Sequence, residues 1–274
     1  MLPVVITGII LAVFILARMF AGFAPLPPDL ELGTAATIGN REVQADQFDY
    51  SYTDAGFMLC IADGIGRGEK GKIASSVAVD TCKTQFEQTP HFDNPGFFFR
   101  KAFLTANHDI LEIIDDATAG ANLLCVVISE NQLYYALCGN CILCVYRKGD
   151  LVPLSEGHTI DVLAKQEFRK GRISRHDALS ALHERRTYNY VGQDGFRNIE
   201  FYDTPVALQP GDIVVLATDG VREIYGGNKL EQLLKNSRMS CEQMAYTITD
   251  TVAAAEIKGD KDNAAVMLLR VNEC

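Results

Sequence analysis

Three separate stretches of this chain join a continuous apolar run to an acidic dipeptide, and that pairing restricts the folds open to it. Phe57-Met58-Leu59-Cys60-Ile61-Ala62 is followed by Asp63-Gly64, Ile213 to Thr218 by Asp219-Gly220, and Asp262-Asn263 leads into Ala265 to Val271. A short apolar run without alternation is the pattern of a strand buried on both faces, so such strands need layers on either side. One Asp-Gly pair is most simply a turn. Several at the ends of buried strands can bring carboxylates to one sheet edge. A fourth, Asp46, lies between two segments that contain apolar residues. Carboxylates about 5 Å apart repel by roughly 3 kcal/mol per pair at an effective dielectric near 20. Such a cluster asks for divalent cations. All-oxygen ligation suits Mg²⁺ or Mn²⁺, and the shortage of histidine near these positions argues against zinc.

The remaining pattern predicts helices over Lys72 to Phe86 and Phe97 to Asp115, the second with Phe99, Phe103, Ala106, Ile110 and Ile114 on one stripe. Strands are predicted at Leu123 to Ser129, Leu133 to Cys138 and Ile142 to Tyr146, joined as hairpins at Asn131 and at Gly139-Asn140, with a further hairpin at Lys148-Gly149-Asp150. Val162 to Arg186 is polar, charged and weakly helical, as an exposed flap would be. Ser240-x-x-Gln243 is a capping box opening a last helix. Strands in hairpin groups with helices in pairs make an α+β protein, with helices layered on antiparallel sheets.

The balance of 25 Lys+Arg against 35 Asp+Glu, a net charge of −10, argues against nucleic acid as a partner. The eight cysteines, several inside apolar runs, suit a reducing compartment and a role as small core residues. Residues 2–17 carry no charge, and after Arg18 the apolar stretch resumes to Ala24. Roughly 20 apolar residues span a membrane, and Arg18 can snorkel to the interface. No positive charge precedes the run, unlike a cleavable signal peptide. Arg18 on its carboxyl side places the rest of the chain in the cytoplasm. The expected organisation is a transmembrane anchor over 1–24, a proline-rich spacer over 25–30 and one domain over 31–274.

In order along the chain, Arg41-Glu42-Val43-Gln44-Ala45-Asp46, Ile61-Ala62-Asp63-Gly64-Ile65-Gly66, Gly139-Asn140, Pro210-Gly211-Asp212 leading to Thr218-Asp219-Gly220, and Lys261-Asp262-Asn263 resemble the motifs of the metal-dependent serine/threonine phosphatases of type 2C, bacterial branch. The resemblance implies a four-layer α-β-β-α sandwich of two antiparallel sheets flanked by helices, with a two-metal site at one end. It implies Mn²⁺ or Mg²⁺ held by Asp63, the Gly64 carbonyl, Asp219 and Asp262. Asp46 would orient the attacking water and Arg41 would hold the phosphoryl group, as a planar fork of donors can. The implied reaction is hydrolysis of phosphoserine or phosphothreonine on proteins by a metal-activated water.

Some positions depart from that pattern. Asn140 stands where the family usually has Asp, which weakens a third metal site. Gly120-Ala121-Asn122 replaces a usual Gly-Thr-Thr, and Ala45 replaces a common polar or acidic neighbour of Asp46. Three readings therefore stand: an active membrane-anchored phosphatase, opposed by a serine/threonine kinase, whose phosphoprotein substrates sit on or near the same membrane; a catalytically weak scaffold binding phosphorylated partners; and a redox-active membrane protein using Cys138, Cys141 and Cys144. The spacing of those three cysteines also occurs in iron–sulfur binding, though core packing explains it more simply. His158 and His108 have no obvious partner in the sequence. The basic run from Arg169 to Arg175, with Arg185-Arg186, is either a solvated flap surface or a receiver for an acidic or phosphorylated substrate face.

Overall fold

The computed structural model describes Pro27 and residues 29–272, apart from residues 117, 197, 203, 237 and 258. The expected anchor over 1–24 lies outside the described residues. Among the described residues no helix is long and apolar enough to cross a membrane. In chain order the elements are β1 (Leu30–Thr37), β2 (Gln47–Thr53), β3 (Gly56–Ile65), α1 (Glu69–Glu87), α2 (Pro95–Ile113), β4 (Gly120–Ser129), β5 (Gln132–Cys138), β6 (Ile142–Arg147) and β7 (Asp150–Pro153). They continue with α3 (Ile160–Arg169), α4 (Arg175–Ala181), β8 (Glu200–Phe201), β9 (Val206–Ala207), β10 (Ile213–Ala217), α5 (Asp219–Ile224), α6 (Gly227–Leu234), α7 (Cys241–Ala254) and β11 (Ala264–Val271). Leu30, expected to end the spacer, instead opens β1.

Two antiparallel sheets result, one in the order β1-β11-β10-β6-β7, the other β2-β3-β4-β5-β8 with β9 also on β5. The continuous apolar runs follow from where the sheets sit. Along β3, Met58, Cys60 and Ala62 face α1 and α2, while Phe57, Leu59 and Ile61 face the other sheet. Along β11, Ala265, Met267 and Leu269 face the first sheet's partner, while Ala264, Val266 and Leu268 face the layer of α5, α6 and α7. Each strand thus serves two apolar layers, and alternation disappears. Three such apolar layers separate four layers of secondary structure, two of helices and two of sheet, the α-β-β-α sandwich expected. Each fully buried Leu, Ile or Phe in them contributes on the order of 1.5–3 kcal/mol.

Local chemistry sets most of the element ends. Ser240 and Gln243 exchange the reciprocal bonds of a capping box at the start of α7. The β4–β5 turn places Glu130 and Asn131 at φ 51° and 60°, the left-handed pair that a two-residue hairpin requires. Gly139-Asn140, in contrast, does not close a hairpin. β5 belongs to one sheet and β6 to the other, so this turn carries the chain across the sandwich. Gly139 makes it at φ 113°, and a Cβ there would lie 2.2 Å from the Asn122 side chain. Two of the acidic dipeptides also differ from simple turns: Asp63-Gly64 lies within β3, and Asp219 is the first residue of α5.

Candidate functional site

The connection from β1 to β2, the carboxyl end of β3, the start of α5 and the entry to β11 meet at one end of the sandwich. Side-chain and backbone bonds hold them there. Asn263 accepts from the Ala45 N–H through Oδ1 at 2.8 Å and donates from Nδ2 to the Ile38 carbonyl at 2.8 Å. The Asn40 N–H donates to the Lys261 carbonyl at 3.0 Å. The segment from Arg41 to Asp46 is thereby pinned to Asp262. Gly64 and Gly71 bring β3 and α1 into backbone contact, and a Cβ on Gly64 would fall 2.2 Å from the Gly71 carbonyl oxygen.

Each predicted acidic residue has its own support. Asp46 is buried, and its Oδ2 accepts from the Thr218 hydroxyl at 2.7 Å. Thr218 is itself fixed by the Ala265 N–H, which donates to its Oγ1 at 2.9 Å. Asp63 faces Asn122 directly in the β3–β4 register and accepts from its Nδ2 at 2.7 Å. Asp219 accepts from Asn140 Nδ2 at 2.7 Å. Asp262 takes both prongs of Arg41, Nε at 3.0 Å and Nη2 at 3.2 Å. Arg41, Asp63, Gly64 and Asp262 line a cavity of 530 Å³, with Arg67 at its rim.

The carboxylates lie in one another's field. Burial first, then Asp63, pushes Asp46 well above the usual carboxylate range against the opposing Thr218 bond. Burial, then Asp219, lifts Asp63 to about 7. Burial, then Asp262, raises Asp219. Asp46 Oδ1, Asn122 Oδ1 and Asn140 Oδ1 are buried without a hydrogen-bond partner among the described residues. Crowded carboxylates together with unsatisfied acceptor oxygens fit hard divalent cations, which relieve both at once. The donor set is oxygen throughout, as Mn²⁺ or Mg²⁺ prefer.

Sequence reasoning missed the supporting residues. Asn122, Thr218 and His158 act on partners far away in the chain, so no local pattern reveals their supporting role. His158 is buried, which pushes its imidazole down to about 4. Its Nδ1 accepts from the Gly139 N–H at 3.1 Å, and its own N–H donates to the Gly139 carbonyl at 2.7 Å. It is a neutral brace beneath the turn that carries Asn140.

The cysteine series does not converge. Cys138 faces the α1–α2 layer, Cys141 the layer between the sheets and Cys144 the α5–α7 layer. A cluster or redox couple shared by these three is therefore excluded by the fold, because the strand–turn–strand path sends each into a different layer. The flap forms α3 and α4. There Arg169, Lys170 and Arg172 pair with Glu156 and Glu167 at 4.0, 3.4 and 2.6 Å. Exposed pairs of this kind contribute little to stability, and they fit the reading of Arg169 to Arg172 as a solvated surface.

No protein-family model matches the chain. A serine/threonine phosphatase from Listeria monocytogenes is 24% identical over 219 residues, covering 77% of this chain and 83% of that protein. The serine/threonine phosphatase of S. agalactiae superposes with a TM-score of 0.75 at 19% identity, over 89% of this chain and 100% of that one. The catalytic domain of the serine/threonine phosphatase PstP, solved with 2 manganese ions, gives a TM-score of 0.67 at 20% identity, over 89% and 100%. The fold is that of the bacterial metal-dependent phosphatases of type 2C, and the relatives by sequence are serine/threonine phosphatases. The resemblance carried by the five motifs is borne out at the level of the whole domain.

Proposed function

We propose that this chain hydrolyses phosphoserine and phosphothreonine on proteins in a reaction dependent on Mn²⁺ or Mg²⁺. The observation that supports the reading most is the meeting of Asp46, Asp63, Asp219 and Asp262 from distant segments, with the first three opposed in their charge by burial and by neighbouring carboxylates, and Asp262 paired with Arg41. Asp63, the Gly64 carbonyl, Asp219 and Asp262 are the groups that would hold the cations. Bound divalent ions at such a site activate water as a nucleophile and offset charge on the phosphoryl group. Asp46, fixed by Thr218 and with one oxygen unpartnered, would accept a hydrogen bond from that water and orient it. Arg41 spans both oxygens of Asp262, and its planar fork matches a phosphoryl group equally well. With Asp262 engaged by a cation, the guanidinium would be free to bind substrate.

Asn140 supports the rival reading of a weak, phosphoprotein-binding scaffold, because an amide replaces the acidic residue expected there and occupies an oxygen of Asp219. Phosphate release from an aryl phosphate and from a phosphothreonine peptide, with Mn²⁺ and with chelator, separates the two. Metal-dependent turnover lost in Asp63→Asn supports the enzyme. Binding of the phosphopeptide without release supports the scaffold. The apolar run of residues 2–24 further supports anchoring in the cell membrane with the domain on the cytoplasmic side, near phosphorylated substrates and their kinase. Retention of the full chain, and loss of a chain beginning at residue 25, in a carbonate-washed membrane fraction tests that placement.

A further inference from the structure

β3 and β4 carry a second group of ligand atoms, of opposite chemical character to the acidic end. Cys60 and Cys125 are direct partners in the β3–β4 register, and both face the layer beneath α1. Cys82 lies on the buried stripe of α1 with Ala74, Ala78 and Phe86. The three Sγ atoms all lie within 4.8 Å of one another, the one group of three or more such ligand atoms so placed among the described residues. All three are free thiols with 0% exposure.

We infer that Cys60, Cys82 and Cys125 form a three-sulfur site for a soft d¹⁰ cation, with Cu(I) as its best match. A d¹⁰ ion about 2.3 Å from three sulfurs in its plane separates them by about 4.0 Å, and the thiols already lie within 4.8 Å of one another. Hard cations are excluded by the absence of oxygen ligands. Zinc prefers four ligands; the group supplies three, and the surrounding apolar layer offers no site for water. Cu(I) is satisfied by sulfur alone. The apolar surroundings favour the smallest net charge. Binding therefore converts Cu⁺ and three thiols into a neutral complex of one thiolate and two thiols, releasing one proton and changing no oxidation state.

Such an ion would staple β3 and β4 to α1, the three elements that carry Asp63, Asn122 and Gly71. The inference is independent of the proposed phosphatase activity. The plain alternative is that three small thiols merely fill the layer.

The test uses the full chain under anaerobic conditions. Cu(I) is supplied both to native protein and during refolding from denaturant, against a competing Cu(I) chelator. The expected result is one Cu(I) retained per chain, with three sulfur neighbours at about 2.3 Å by X-ray absorption. Tm should rise by roughly 5–10 °C at a hundredfold excess over Kd. Cys82→Ser should bind at least tenfold more weakly, while Cys144→Ala binds as the parent does. Should Cys82→Ser fail to fold, the sulfur count in the parent protein decides alone. Fewer than three sulfurs, oxygen or nitrogen neighbours, equal binding by folded Cys82→Ser, or no retention by either loading route would each overturn the site.

Discussion

Cys60 and Asp63 stand three residues apart on the same strand, and the protein treats them in opposite ways. Around Cys60 everything is at rest: a buried thiol, apolar neighbours and two further thiols. Around Asp63 nothing is: burial, Asp219 and Asp262 oppose its charge against the support of the Asn122 amide and Asp46. A residue that serves the fold alone has no reason to stay in such a position. The acidic end carries a strain that a cation would relieve, whereas the thiols lie in an apolar layer.

The largest test of that contrast replaces single carboxylates. Asp63→Asn or Asp219→Asn should lower Mn²⁺-dependent phosphate release by a thousandfold or more, about 4 kcal/mol of transition-state stabilisation, while circular dichroism stays native. Turnover within tenfold of the parent protein would remove these residues from the site. Next comes the amide behind the carboxylate. Asn122→Ala should weaken Mn²⁺ binding by roughly 10–100-fold, as loss of an orienting partner does, and calorimetry would read it. An unchanged affinity would mean that Asp63 needs no clamp.

The contrast also has a pH signature. The folded chain holds Asp63 at about 7, above the value near 4 of an unfolded carboxylate. The folded state therefore binds that proton more tightly, and this contribution to stability is lost as pH rises from about 4 to about 7. With chelator present, Tm should be lower at pH 7.5 than at pH 5, a loss on the order of 1–2 kcal/mol. The difference should shrink in Asp63→Asn or when Mn²⁺ is added. A flat profile in the parent protein would contradict the strain. Smallest of all, Cys144→Ala should leave turnover and metal binding alone and cost about 1 kcal/mol of stability through lost packing. A large loss of activity there would mean the layers are coupled more closely than the contacts indicate.

The sequence made the acidic end more legible than its supports. Buried strands announced themselves by unbroken apolar runs, since β3, β4, β10 and β11 each feed two layers. β1 and β2 escaped notice because their residues are mostly half-buried and mix Thr, Asp and Tyr with apolar positions. Gly139-Asn140 looked like a hairpin because a turn between strands has the same local chemistry whether it joins neighbours or crosses between sheets. Thr218, Asn122 and His158 are defined by partners 172, 59 and 19 residues away. The cysteines show the same limit in reverse: the regularly spaced series scatters, and the convergent trio of Cys60, Cys82 and Cys125 has no pattern at all.

Titration of Mn²⁺ into the chelator-stripped chain at pH 7, in parallel with Asp63→Asn, tests the central claim most directly. Two ions bound per chain, and their loss in the variant, is the result expected of four aspartates gathered to hold a pair of hard cations. Absence of Mn²⁺ binding by the folded parent chain, or identical binding by the variant, would contradict it.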